Sequence, residues 1–231
     1  MENSKKHQVH NLVILDESGS MTSIKRAIIK GLNEVVQTIK GIEQQYPEQE
    51  HFISFVSFNG LGQKLLHFID PVSKLEQIND KSYKPDASTP LFDAMGFGIN
   101  KLKQVLQERT DYNVLVTILT DGEENASKEY SGNDVKKLVE ELKLNRWTFT
   151  YIGTGHDVEE IASSLSIEHC LAFHNDEASI SAMFAEERDA RINFSQVLNR
   201  DKNAIIKYFK NTGEKKPGKD ASKKEKWFGL F

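Results

Sequence analysis

The stretch Val9-His10-Asn11-Leu12-Val13-Ile14-Leu15 runs straight into Asp16-Glu17-Ser18-Gly19-Ser20-Met21. Its first part is short, strongly apolar and rich in branched residues, the composition of a strand covered on both faces. The second part is polar and carries a glycine, which marks a loop at the strand's end. Beyond it, Ile28, Leu32, Val35, Val36 and Ile39 recur at three- and four-residue spacing within Ile24 to Ile42, the period of a helix with one apolar side. A buried strand, a polar loop and an amphipathic helix form the opening half of a crossover unit and point to a parallel sheet.

The alternation continues along the chain. Phe52 to Phe58, Val114 to Leu119, Thr148 to Ile152 and Cys170 to Phe173 have strand composition, and Leu91 to Leu106, Val135 to Leu144, Val158 to Leu165 and Ile180 to Leu198 carry helical stripes. Lys64 to Ile69 is a further strand. Only a short glycine-containing loop separates it from Phe58, too little chain for a crossover helix, so these two strands form an antiparallel hairpin at the sheet edge. The expectation is an α/β fold with a doubly wound, mostly parallel six-stranded sheet, one antiparallel edge strand and helices on both faces.

A chain of 231 residues accommodates one such domain, and 38% hydrophobic with 28% charged residues are ordinary globular proportions. Residues 9–199 carry the alternating pattern. Residues 1–8 read as a polar amino-terminal extension, and 200–231 as a basic linker ending in Trp227-Phe228-Gly229-Leu230-Phe231. The net charge of -4 argues against general nucleic-acid binding. That charge is uneven: from Arg200 onward ten Lys or Arg face four Asp or Glu, which leaves the body acidic. Cys170 is the one cysteine, so no internal disulfide forms, and its apolar strand suggests a buried, unreactive thiol. The polar amino end and the shortness of the apolar run after it suggest a cytoplasmic protein.

Ligands of open α/β sheets bind outside the carboxyl ends of the strands. At the first such end Asp16, Ser18 and Ser20 alternate, and a turn at Gly19 can gather one carboxylate and two hydroxyls round a common centre. Two further loops supply matching oxygens: Ser88-Thr89-Pro90 before a helix, and Thr120-Asp121-Gly122-Glu123-Glu124-Asn125 after a strand. Hard oxygen donors suit magnesium, with manganese or calcium as alternatives, better than zinc or copper. None of the seven histidines has the paired spacing of a zinc helix.

The D-x-S-x-S loop, the later Thr before Pro and the T-D-G loop together resemble the metal-ion-dependent adhesion site of the von Willebrand factor type A family, over about Val9 to Asn199. The resemblance implies that family's Rossmann-like fold and a Mg2+ held by Asp16, Ser18, Ser20, Thr89 and Asp121. Ser18, Ser20 and Thr89 would contact the ion, and the two aspartates would act directly or through water. It further implies a coordination position filled by an acidic side chain of a partner protein, so that the metal serves an interface, and a bacterial setting. In such families the Thr89 loop can move with the last helix. Glu17, Asn59, Glu123, Glu124, Asn125 and His156 are the expected rim around the site.

Two other function classes compete. A phosphoryl-transfer hydrolase of the haloacid dehalogenase type also ends its first strand in aspartate, but its second acid is replaced here by Ser18, whose hydroxyl cannot serve as a base near neutral pH. Catalysis is therefore not expected. A membrane adaptor is the other class, with Lys223, Lys224 and Lys226 on headgroups and Trp227, Phe228, Leu230 and Phe231 at the interface, although so few apolar residues hold a bilayer weakly. The same tail could dock a second protein, or fold back onto an apolar groove of the domain.

Overall fold

The computed structural model describes residues 6–155 and 157–209. Among them six strands form one sheet: β1 (His7–Asp16), β2 (Gln49–Asn59), β3 (Gly62–Pro71), β4 (Tyr112–Leu119), β5 (Trp147–Thr154) and β6 (His169–Phe173). Their order is β3-β2-β1-β4-β5-β6. β1 lies parallel to both β2 and β4, β4 to β5 and β5 to β6, while β2 and β3 form the antiparallel hairpin. At the hairpin turn Gly62 has a φ of +135°, a conformation that strains any side-chain-bearing residue.

The helices are α1 (Lys25–Gln45), α2 (Leu91–Leu106), α3 (Gly132–Lys143), α4 (Val158–Ser164) and α5 (Glu177–Arg200). The period-two alternation of β1 sorts them into layers. Val9, Val13 and Leu15 enter a core shared with α1 and α5, where Ile28, Leu32, Phe184 and Phe194 meet them. Leu12 and Ile14 enter a second core with Leu102 of α2, Val139 of α3 and Ala162 of α4. This is the doubly wound, mostly parallel arrangement that the sequence pattern leads one to expect. Each fully buried Leu, Ile or Phe contributes roughly 1.5–3 kcal/mol, so the two cores dominate the stabilising side. Gly31 sets the spacing of α1 and α5, because a Cβ there would stand 2.0 Å from the Phe184 ring.

The packed unit is wider than residues 9–199. His7 and His10 are buried, and after α5 the chain turns back so that Ile206, Tyr208 and Phe209 join the core. Between β3 and α2, Val72, Leu75, Ile78 and Tyr83 also pack into the α1 side, with only the single 3-10 turn Val72–Lys74 as regular structure. Cys170 is half-buried rather than fully buried, and burial pushes its thiol pKa up, which keeps it protonated. His156 and the tail residues Trp227, Phe228, Leu230 and Phe231 lie outside the described residues. Among the described residues no helix is long and apolar enough to cross a membrane.

Candidate functional site

The chain leaves β1 toward β2 and β3, then returns to the other side of β1 as β4. The loops at the carboxyl ends of β1 and β4 therefore diverge and leave a crevice between them. Asp16 is the last residue of β1, and Thr120 and Asp121 follow β4 directly.

Asp16 is fully buried. Its Oδ1 accepts from the Ser18 N–H at 2.7 Å, which shapes the first loop, and its Oδ2 lies 2.6 Å from the Thr120 hydroxyl. The Ser20 hydroxyl donates to Asp121 Oδ1 at 2.5 Å and sits 3.1 Å from the Ser18 hydroxyl. Asp121 Oδ2 is buried with no hydrogen-bond partner among the described residues. Gly122 reveals where these groups meet. A Cβ at Gly122 would stand 3.0 Å from Thr89 Oγ1 and 3.6 Å from both Asp16 Oδ2 and Ser20 Oγ. Oxygens from two loops thus face one point on the third that only the missing side chain keeps open.

Thr89 is held in place by its neighbours. Its N–H donates to Asn125 Oδ1 at 2.9 Å, and the Asn125 N–H donates back to the Thr89 carbonyl at 3.2 Å. The Gly19 N–H donates to the Ala87 carbonyl at 3.0 Å and joins the first loop to the second. Glu124 accepts from the N–H groups of Phe92, Ala126 and Ser127, while Asp93 accepts from those of Lys128, Glu129 and Tyr130. The start of α2 and the loop after β4 are therefore one braced piece.

Burial pushes the Asp16 carboxyl up to about 6, opposed by hydrogen bonds from Thr120 and Ser18 and reinforced by the charge of Asp121. Burial likewise raises Asp121, against the hydrogen bond from Ser20. Two neighbouring carboxylates out of water are costly without a cation beside them. The donor set of two carboxylates and three hydroxyls fits a hard divalent ion such as magnesium. Among the described residues no three His, Cys, Asp or Glu cluster as a metal site, so an ion here would take its remaining donors from hydroxyls.

The expected rim divides. Glu123 is exposed and lines a cavity of about 210 Å³ together with Asp121, Tyr151, Thr154 and Asp157. Glu17, by contrast, is fully buried: Lys64 Nζ lies 3.0 and 3.1 Å from its two oxygens, and the Lys84 N–H donates to it at 2.5 Å. Asn59 is buried as well, donating to the Glu17 carbonyl and accepting from the Leu61 N–H. Both residues tie the hairpin and the loop before α2 to β1, so neither belongs on a partner-facing rim. Glu124 and Asn125 are loop braces, although Asn125 keeps an exposed side. Thr120 and Tyr83 join the site without a clear signal in the sequence pattern. Thr120 is within reach of such a reading as the first residue of the T-D-G loop, whereas nothing in sequence shows that the Tyr83 hydroxyl donates to the Asp16 carbonyl at 2.7 Å.

The family profile described as von Willebrand factor type A domain matches residues 12–186. No curated protein matches the chain in sequence. Among solved structures, proximal thread matrix protein 1 from the mussel byssus superposes with a TM-score of 0.56 at 14% identity, covering 82% of this chain and 47% of that one. The pilus adhesin SpaC from Lactobacillus rhamnosus GG, in its open conformation, gives 0.60 at 12% identity, with 84% and 31% covered. The SpRpn10 VWA domain gives 0.53 at 10% identity, with 75% and 92% covered. The chain thus spans about half of the mussel protein and about a third of the adhesin, and at these identities the likeness is one of fold. Sequence profile and sheet topology agree, and the chain belongs to the von Willebrand factor type A domain family.

Proposed function

We propose that this chain is a protein-interaction module that binds its partner through a divalent cation, magnesium in the first place, held by Asp16, Ser18, Ser20, Thr89 and Asp121. The observation that carries this reading is the point beside Gly122 where Thr89 Oγ1, Asp16 Oδ2 and Ser20 Oγ converge, with the unpartnered Asp121 Oδ2 in the same loop cluster. The bound ion supplies concentrated positive charge at the surface. Five side chains leave an octahedral ion at least one position for water or for a partner's carboxylate. Glu123, exposed at the edge of this cluster, disfavours an approaching anion from its own side and so helps set the direction from which a partner carboxylate enters.

Binding is favoured over catalysis because Ser18 occupies the position where a phosphoryl-transfer hydrolase needs its second acid. An interaction role also accords with the adhesin among the structural neighbours. A reducing cytoplasm suits a chain with a single free cysteine. The test is affinity purification of the full chain from its native source, with and without chelator, beside Thr89→Ala. A partner retained only with metal and lost in the variant is expected. The same partners under all three conditions would refute the reading.

A further inference from the structure

A groove of about 570 Å³ opens at the amino ends of β4 and β5, the end of the sheet opposite the metal loops. Its walls include Trp147 and Phe149 of β5, Ile167 ahead of β6, and Ile205 and Ile206 after α5. Apolar surface is left in the open here, with Ile205 100% and Leu144 87% exposed.

The ladder along this groove is also incomplete, although Trp147 and Phe149 are themselves buried. The ladder between β5 and β6 starts at Thr150 opposite His169, whereas β5 pairs with β4 from Trp147 onward. The first three residues of β5 therefore have a paired strand on one side only. Because the Val114 N–H donates to the Arg146 carbonyl, and peptide groups alternate along a strand, the N–H groups of Trp147 and Phe149 face away from β4. Neither N–H donates to a turn, loop or cap carbonyl among the described residues. The Trp147 side chain is only 3% exposed, and its indole N–H is buried without a partner among them. Buried or half-buried donors beside apolar walls call for an extended segment that brings carbonyl oxygens and large apolar side chains.

Residues Trp227-Phe228-Gly229-Leu230-Phe231 have that chemistry, with four large apolar side chains in five positions. They are also tethered close by. The groove wall at Ile206 lies three residues before Phe209, and seventeen residues, 210 to 226, separate Phe209 from Trp227. Fully extended, seventeen residues reach at most about 60 Å, more than enough to return Trp227 to a wall three residues before Phe209. A covalent tether raises the local concentration of that end above that of a separate peptide. We propose that this groove is the docking site of the chain's own Trp227–Phe231 segment, laid in extended form along the free edge of β5. The contact covers a strand edge that would otherwise invite pairing with another chain. It also makes the tail and the groove mutually exclusive binding surfaces for anything else.

Residue-resolved amide exchange on the full chain tests the placement. The Trp147 and Phe149 amides should be protected in the wild type. They should exchange at least about tenfold faster in Phe228→Ser/Leu230→Ser, equivalent to about 1.4 kcal/mol of lost protection, while β4 amides stay unchanged. Ile205→Asp should expose the same two amides from the groove side. Unprotected amides in the wild type, or no change in the tail variant, would overturn the proposal. Protection that falls on dilution would assign the groove to the tail of a second copy and overturn the intramolecular placement.

Discussion

Asp16→Asn should make the metal-free protein more stable than wild type and the magnesium-loaded protein less stable. Burial holds this carboxyl at about 6 against an ordinary 3.8. A carboxyl raised in the folded state contributes its stability while protonated, fully below pH about 4, and loses it as pH rises through about 6. At neutral pH and above, the ionised group therefore costs the metal-free fold about 3 kcal/mol, since each tenfold weakening of its acidity corresponds to about 1.4 kcal/mol. Asparagine removes that charge. It keeps an oxygen for the Ser18 N–H but loses the acceptor 2.6 Å from the Thr120 hydroxyl, which offsets about 1–2 kcal/mol of the gain. The net expectation in chelator is a variant more stable by about 1–2 kcal/mol, or about 3–6 °C for a chain of this length. Saturating magnesium reverses the order. A ligand at a hundredfold excess over its dissociation constant stabilises the wild type by about 2.7 kcal/mol, and the variant, without the charge, gains little. Thermal unfolding of both proteins with chelator and with magnesium reads the crossing directly. In chelator the gap should close as pH falls toward about 5, because the wild-type carboxyl then takes up its proton. A variant destabilised in chelator, or one that responds to magnesium like the wild type, would refute the reasoning.

Gly122→Ala places a methyl group 3.0 Å from Thr89 Oγ1, at a residue whose backbone lies outside the glycine-only region. It should fold with a loss of about 1 kcal/mol, while calorimetry shows magnesium affinity reduced by about tenfold or more; undiminished affinity would move the ion away from this point. His51 carries a separate pH dependence, because burial first, and then Arg191, His7 and His10, lower its pKa to about 3. A base lowered in the folded state contributes fully above its unfolded value near 6.5 and loses that contribution as pH falls toward 3. Urea unfolding below pH about 6 should show His51→Leu losing stability less steeply than wild type, by about 1.4 kcal/mol per pH unit. Equal slopes in the two proteins would mean that His51 is charged in the fold.

The strands were legible in sequence because a parallel sheet covered on both faces requires near-continuous apolar runs, and Leu91–Leu106 of α2 coincides with its stripe end to end. The loops after β1 and β4 were legible because they sit at strand ends, so topology gathers Asp16, Ser18, Ser20 and Asp121, whereas Thr89 arrives before α2 on a long connection from β3, which ends at the opposite end of the sheet. Glu17 was not legible. Its position beside Asp16 suggests a second site carboxylate, but the burial of a charge depends on what arrives from elsewhere, here Lys64 from β3. The same holds for Asn59, whose loop position gives no sign of its hydrogen bond to the Glu17 carbonyl. Ile206, Tyr208 and Phe209 were hidden by their setting among Lys202, Asn203 and Lys207, where a count of charges outweighs three rings and chains with no helical or strand period.

The two cores of the sheet are unlike each other, and the difference bears on the site. The α5 side carries a charged group in its middle: Arg191, almost wholly buried, donates to Glu187 at 2.9 Å, to Asn11 of β1 at 2.6 Å and to Thr117 of β4 at 3.1 Å. The Tyr208 hydroxyl donates to the same Glu187 oxygen at 3.0 Å. A buried ion pair rarely adds net stability over an apolar substitute, because removing both charges from water costs as much as their attraction returns. What such a network can impose is register. Arg191 reaches Asn11, Thr117 and Glu187 Oε1 together at one setting of α5 across β1 and β4, whereas a stripe of leucines would tolerate a slide. Those are the two strands whose ends carry Asp16 and Asp121, and two like carboxylates held close without a cation push their supports apart. A polar clamp spanning both strands resists that displacement where an apolar contact would yield to it. The sheet can therefore keep the oxygen cluster gathered before any ion arrives.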